Sequence, residues 1–134
     1  MIVFTVLGLP RPQGRPRFAR RTGHAYDPSA AAKESFLAKA LAWKPDVPLD
    51  GPLQVNLTFT FHRPKSHLTS KGEVKPNAPT AHTQRPDLDN LAKLVYDSLN
   101  GVFFLDDRQI CQRVDNKGWG EMDSTVVQIQ EVMP

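Results

Sequence analysis

Residues 53 to 62, L-Q-V-N-L-T-F-T-F-H, decide the reading of the fold. Leu53, Val55, Leu57, Phe59 and Phe61 alternate without a break with Gln54, Asn56, Thr58, Thr60 and His62. A period of two sends successive side chains to opposite faces, so this segment is a strand with one face in a core and the other wet. Further along, Leu88, Leu91, Leu94, Val95 and Leu99 recur at helical spacing, and Asn100-Gly101 supplies the stop. Towards the start, Ile2, Phe4 and Val6 alternate with Val3, Thr5 and Leu7, which predicts a strand over residues 2 to 8 covered on both faces. Asp27 and Pro28 read as the N-cap and first-turn proline of a second helix through SAAAKESFLAKALAW, with Phe36, Leu37, Ala40 and Leu41 as its apolar stripe. Two more strands, Gln109 to Val114 and Thr125 to Val132, are expected around a Gly-rich turn at Lys117 to Asp123. The predicted fold class is α/β, a small single domain over residues 1–134 with a mixed β-sheet packed by two main helices.

Composition agrees with that size. At 134 residues, 40% hydrophobic and 23% charged, the chain falls in the globular range and has length for about one domain. No run approaches the roughly 20 apolar residues of a membrane span, and the N-terminal charges follow the apolar stretch, the reverse of a secretory leader. The single cysteine, Cys111, excludes an internal disulfide and a Cys-rich zinc site and fits a reducing, cytoplasmic setting. The net charge of +3 conceals an asymmetry: residues 1 to 44 carry +6, residues 45 to 86 carry +2 and residues 87 to 134 carry −5. A basic arm beside an acidic patch suggests a polyanionic substrate held by the first and cations recruited by the second.

The basic arm is PRPQGRPRFARRTGHAYDP, with Arg11, Arg15, Arg17, Arg20 and Arg21 before any acid. Its prolines forbid regular helix, so an extended loop or hairpin is expected. Arginine binds phosphate bidentately, and such contacts fix position on a duplex without reading its sequence. Residues 63 to 86 show no sustained period and read as a long mobile loop.

The acids are Asp87, Asp89, Asp97, Asp106 and Asp107. Pro86 biases the chain before it towards extended backbone, which sets Asp87 on the entry to the helix and Asp89 in its first turn. Asp89, Lys93 and Asp97 are spaced i, i+4, i+8 and share a face opposite the leucines. Asp106-Asp107 follow V-F-F-L, and a chain reversal there would return one of them to the helix start. Clustered carboxylates repel unless neutralised, and hard oxygen donors of this kind suit Mg²⁺, or Mn²⁺ in its place. The plainer alternative is that the acids favour a helix N-terminus and that Asp89–Lys93 is a surface ion pair. An EF-hand starting at Asp87 fails at Leu91, Ala92 and Ser98, where an oxygen ligand, glycine and glutamate are required.

The string R-P-D-L-D-N-L-A-K-L-V-Y-D-S-L-N-G, Arg85 to Gly101, with L-D-D-R-Q-I, Leu105 to Ile110, closely resembles the central motif of RusA-type Holliday-junction resolvases. P-Q-G-R-P-R-F, Pro12 to Phe18, is similar to the start of many phage-borne members, which implies a bacterial or phage source. The resemblance implies a small α/β domain working as a homodimer on four-way DNA junctions. It assigns Asp87, Asp89 and Asp107 as ligands of a divalent metal and Lys93 as the catalytic lysine, with Asp106 as a neighbour. Some members carry a run of arginines directly before D-L-D-N. Here only Arg85 stands there, so the arginines of residues 11 to 21 are expected to join it in binding DNA.

Of the remaining residues, Phe18 and Tyr26 flank the basic run, where aromatics can stack on unpaired bases, but are expected instead to pack against the domain, and His24, His62, His67 and His82 are expected to lie at the surface. Trp43 and Trp119 read as core or interface groups, and Phe103 and Phe104 as anchors for the acidic turn. Two functions follow: a Mg²⁺-dependent endodeoxyribonuclease resolving four-way junctions by paired nicks, or a non-catalytic nucleic-acid-binding protein using only the basic arm.

Overall fold

The computed structural model describes residues 1–133 and is built around the strand the alternation predicts. That strand, β4 (Leu53–His62), buries all five of its odd-numbered residues. It lies inside a four-stranded sheet of order β1-β6-β4-β5, with β1 at Ile2–Leu7, β5 at Ile110–Gly120 and β6 at Ser124–Glu131. β6 runs antiparallel to both β1 and β4, whereas β4 and β5 are parallel, so the sheet is mixed. Helices α1 (Ala30–Ala40) and α2 (Leu88–Leu99) pack on its apolar face. A separate two-stranded ribbon, β2 (Arg17–Phe18) with β3 (Ala25–Tyr26), is the predicted hairpin.

Helix α2 has the predicted bounds, and its apolar stripe is the centre of the core: Leu91, Leu94, Val95 and Leu99 are buried against β4 and β6. Asn100 caps it, and Gly101 follows at φ +80°, a conformation that glycine adopts without a Cβ clash.

Elsewhere the structure corrects the sequence reading. β1 is covered on one face only: Phe4 and Val6 are buried while Val3 and Leu7 are exposed, because both helices pack on the same face of the sheet. The cap of α1 is Ser29 and not Asp27. The Asp27 carboxylate instead pairs with Lys33 and accepts from the Ser29 N–H at 2.9 Å, which together hold its pKa below the usual carboxylate value. Leu41 leaves the apolar stripe in a short 3₁₀ turn and is exposed, and the neighbouring Trp43 stacks on Phe4 at 5.5 Å.

Residues 63 to 86 are fastened rather than loose. The segment turns back through Lys75 N–H to His67 O at 2.9 Å, and Arg63 Nη1 donates to Pro79 O at 2.7 Å. It then adds to the free edge of β5, where Trp119 N–H donates to Thr80 O at 2.9 Å and His82 N–H to Lys117 O at 3.2 Å. The predicted turn at Lys117 to Asp123 is correspondingly shorter, since β5 continues to Gly120. Its glycines are close-approach positions: a Cβ at Gly120 would lie 2.6 Å from Thr60 Cγ2, and one at Gly118 would lie 3.1 Å from Thr80 O.

His82 is buried, against expectation, between Phe61 at 4.4 Å and Trp119 at 4.1 Å, while His67 meets Trp119 edge-on at 5.1 Å. Burial, with the Lys117 ammonium adding to it, holds the imidazole below its ordinary pKa of 6.5. The unfolded chain therefore takes up a proton before the folded one does as pH falls, so this site favours unfolding below about pH 6.5. Thermal melts between pH 7.5 and 5 should show His82→Phe losing less stability on acidification than the wild type. Parallel pH profiles for the two proteins would contradict this assignment.

Candidate active site

The acidic residues sit on three pieces of backbone that converge on α2. Asp87 is the helix N-cap, in extended conformation, and its side chain makes no capping hydrogen bond. Asp89 follows in the first turn, where a carboxylate complements the positive end of the helix dipole. Lys93 comes one turn later, with its ammonium 3.3 Å from Asp97 Oδ2, so the i, i+4, i+8 face predicted from spacing is present.

Asp106 and Asp107 are held by a rigid turn. The Asp106 carboxylate accepts from Arg108 N–H at 3.0 Å, and Gln109 Oε1 accepts from Asp106 N–H at 2.8 Å, a reciprocal capping box. Gln109 Nε2 ties this turn to Leu49 O and Gly51 O at 3.0 and 2.8 Å. Phe103 and Phe104 are fully buried just before it, as anchors should be. The charged neighbours of Asp107 include Asp106, Asp97 and Lys93, so the turn returns beside α2. Burial first, then Asp106 and Asp97, raises the Asp107 pKa, with Lys93 opposing. Asp106 is held low by the Arg108 N–H and by the hydrogen bond with Asp107.

The third piece was not found from sequence. Arg113 on β5 reaches Asp89 Oδ1 at 3.1 Å with one nitrogen and Asp115 Oδ2 at 3.0 Å with another, and its guanidinium lies 5.7 Å from the centre of the Tyr96 ring. Tyr96 Oη is 3.5 Å from Asp115 Oδ1. Burial raises the Asp115 pKa against the pull of Arg113, and raises that of Tyr96 as well. Two residues on, Lys117 Nζ donates to Gln84 O at 2.6 Å and Pro86 O at 2.8 Å, clamping the chain that enters Asp87. Arg113, Asp115 and Lys117 are two residues apart in turn, which a strand presents on one face. The signal was in the sequence, but a strand ending at Val114 conceals it.

The basic arm meets the acids at its root. Gln13 N–H donates to Asn90 O at 2.9 Å in the first turn of α2, which lays the proline-rich segment along the helix entry. Between them runs a cleft of about 700 Å³ whose walls include Arg11, Phe61, Arg85, Asp87 and Asn90. Of the predicted DNA-binding residues, Arg11 and Arg85 thus share a cleft with Asp87. Arg15, Arg17, Arg20 and Arg21 lie outside it, exposed along the hairpin and its approach.

The donor set has the right chemistry for a hard divalent cation. Burial raises the pKa of Asp107 and of Asp115; Asp106 and Asp97 add to it at Asp107, while Arg113 opposes it at Asp115. Its members stand in separate pairings: among the described residues, no group of three His, Cys, Asp or Glu side chains is drawn together around a common point.

Comparison with protein families matches residues 8–130 to the family described as Endodeoxyribonuclease RusA. The chain belongs to the RusA family. The match runs from the root of the arm, through the cleft and the acidic helix, to the end of the sheet. A relative from Bacillus subtilis (strain 168), described as the uncharacterized protein YqaN, is 34% identical over 98% of this chain and 96% of its own length. RusA membership thus extends over all three pieces of the site. No helix among the described residues is long and apolar enough to cross a membrane.

Proposed function

We propose that this protein is a divalent-metal-dependent endonuclease that resolves four-way DNA junctions, acting as a homodimer whose subunits each nick one strand. The observation that carries the reading is the shared cleft of Asp87, Arg11 and Arg85 in a chain of the RusA family. Asp87, Asp89 and Asp107 would hold Mg²⁺, with Mn²⁺ able to take its place. When bound, such a cation polarises a phosphodiester and activates water for attack on it.

The chain's own groups do the rest. Arg11 and Arg85 bind the phosphates on either side of the cut and hold the backbone in the cleft. Lys93, more than half exposed and tethered only by Asp97, turns its ammonium to the phosphate and offsets the charge that develops on it. Arg113 fixes Asp89 from behind, and Lys117 fixes the backbone from which Asp87 projects. One chain offers one such constellation, and a junction needs two cuts. A C₂ dimer supplies the second by repeating one interface. An activity of this kind serves DNA recombination and repair within the cytoplasm.

A labelled synthetic junction incubated with protein and Mg²⁺, beside an EDTA control, tests the chemistry. Symmetric nicks that vanish with EDTA are expected, and binding without cleavage under any divalent metal would leave the non-catalytic reading in its place. Dimers pairing wild type with Asp89→Asn, isolated through two different tags, test the division of labour on a cruciform plasmid. They should yield open circles, whereas linear product at the wild-type rate would overturn the one-subunit, one-nick scheme.

A further inference from the structure

The β2–β3 hairpin has no role in the cleft, and its surface is unlike the rest of the protein. Arg17 stands opposite Tyr26 and Phe18 opposite Ala25. The tip is closed by Ala19 N–H to His24 O at 2.9 Å and by Gly23 N–H to Ala19 O at 2.8 Å. Phe18 and Tyr26, expected from the sequence to pack against the domain, do not: Phe18 is 71% exposed and Tyr26 49% exposed. Paired residues share a face and successive ones alternate, so Phe18 and Tyr26 lie on opposite faces of the ribbon. Arg15, Arg17, Arg20 and Arg21 are exposed in the same segment, and none of the four takes part in an ion pair among the described residues. The nearest acid in sequence, Asp27, is already taken by Lys33, Gln13 and the Ser29 N–H.

The root of the hairpin is fixed. Gly14 N–H donates to Ser29 Oγ at 2.7 Å, and Gln13 N–H to Asn90 O at 2.9 Å, one residue from Asp89. The arm therefore springs from the edge of the cleft and carries the exposed Phe18 ring on a segment with four unpaired guanidinium groups. Four unpaired cations call for a polyanion. An aromatic ring on such a surface finds its complement in a nucleobase face, and base faces are open only where strands are unpaired or splayed. In a continuous duplex they are stacked away.

We propose that Phe18, on a hairpin that carries four unpaired arginines, forms a stacking platform for an unstacked base at the crossover of branched DNA. The platform distinguishes a junction from a duplex, while the arginines bind the phosphates of both. It deepens the functional reading above and rests on it.

The test is binding in EDTA by fluorescence anisotropy, using a synthetic four-way junction and a linear duplex of the same length, with wild type, Phe18→Ala, Phe18→Trp and Arg17→Ala/Arg20→Ala/Arg21→Ala. Phe18→Ala should bind the junction about tenfold more weakly, as expected when one base loses its aromatic partner, and the duplex unchanged. Phe18→Trp should restore junction affinity. The arginine variant should weaken both and lower the salt slope by about 0.9 for each duplex phosphate that is no longer neutralised. An exposed side chain can be removed without unfolding the protein, and an unchanged melting curve verifies that. Wild-type junction affinity in Phe18→Ala, or equal loss on junction and duplex, overturns the platform. So does conversion of a dimer to a monomer by Phe18→Ala in sedimentation, which would mean that Phe18 covers a second copy of the chain. If the wild type itself fails to prefer junction over duplex, the junction reading falls too. If it prefers junctions and Phe18→Ala keeps that preference, the platform alone falls.

Discussion

Asp89→Asn is expected to lower junction cleavage by a hundredfold or more while leaving junction binding intact or tighter. The side chain is 91% exposed, so the near-isosteric amide disturbs no packing. Arg113, whose charged partner at 3.1 Å becomes a neutral amide oxygen, keeps Asp115 at 3.0 Å and stays in place over Tyr96. What changes is charge at the mouth of the site. Removing a carboxylate removes a donor to a divalent cation, for which effects of about a hundredfold or more are usual. It also removes a negative charge that repels the phosphates of the substrate. Cleavage and gel-shift assays on one preparation separate the two effects. Cutting at the wild-type rate would show that Asp89 does not serve the metal, and equal loss of binding and cleavage would make it a DNA-binding residue.

Phe103→Ala is expected to destabilise the protein by about 3–5 kcal/mol, the usual cost of emptying a fully buried phenylalanine site. Phe103 has no exposed surface and packs on Phe4 with ring centroids 5.3 Å apart, while its carbonyl accepts from Leu49 N–H at 2.9 Å. Against a typical total of about 5–15 kcal/mol, that loss is a large share of the stability. Urea melts of the variant and of Leu105→Ala, which truncates an exposed residue two positions on, give the contrast. The second should lie within about 0.5 kcal/mol of wild type. A Phe103→Ala loss below about 1 kcal/mol would mean that the acidic turn is not anchored through this ring.

Why some elements were legible and others not follows from where each sits. β4 is flanked by strands on both edges and by helices on one face, so its alternation is unbroken and its bounds could be read to the residue. The same holds for α2, whose leucines meet the sheet while Asp89, Lys93 and Asp97 face outward. β1 is apolar on both faces, as a two-sided strand would be, and only the packing of both helices on one face of the sheet leaves its other face bare. Gly118 and Gly120 signal a turn by composition, yet they are there because Thr80 and Thr60 pass too near for a side chain. That misreading shortened β5 and concealed Asp115 and Lys117. Asp87 and Asp89 were found because their spacing is local. The Arg113 bridge spans 24 positions, and no local period encodes it. His82 was missed for the same reason, since its burial depends on Phe61 and Trp119 from two different strands.

The pairing of β1 with β6 imposes an order on biosynthesis. Ile2 is in register with Ile129, and Leu7 with Ser124, so β1 waits for a strand made about 120 residues later. At ribosomal rates of about 5–20 residues per second, a gap of about 120 residues keeps β1 without its partner for roughly 6–24 s. β4 waits too, with the edge that will take β6 open and its row of leucine, valine and phenylalanine side chains already made. Until β6 emerges, the sheet lacks its central seam, and holdase chaperones should recognise that state more strongly than the folded protein.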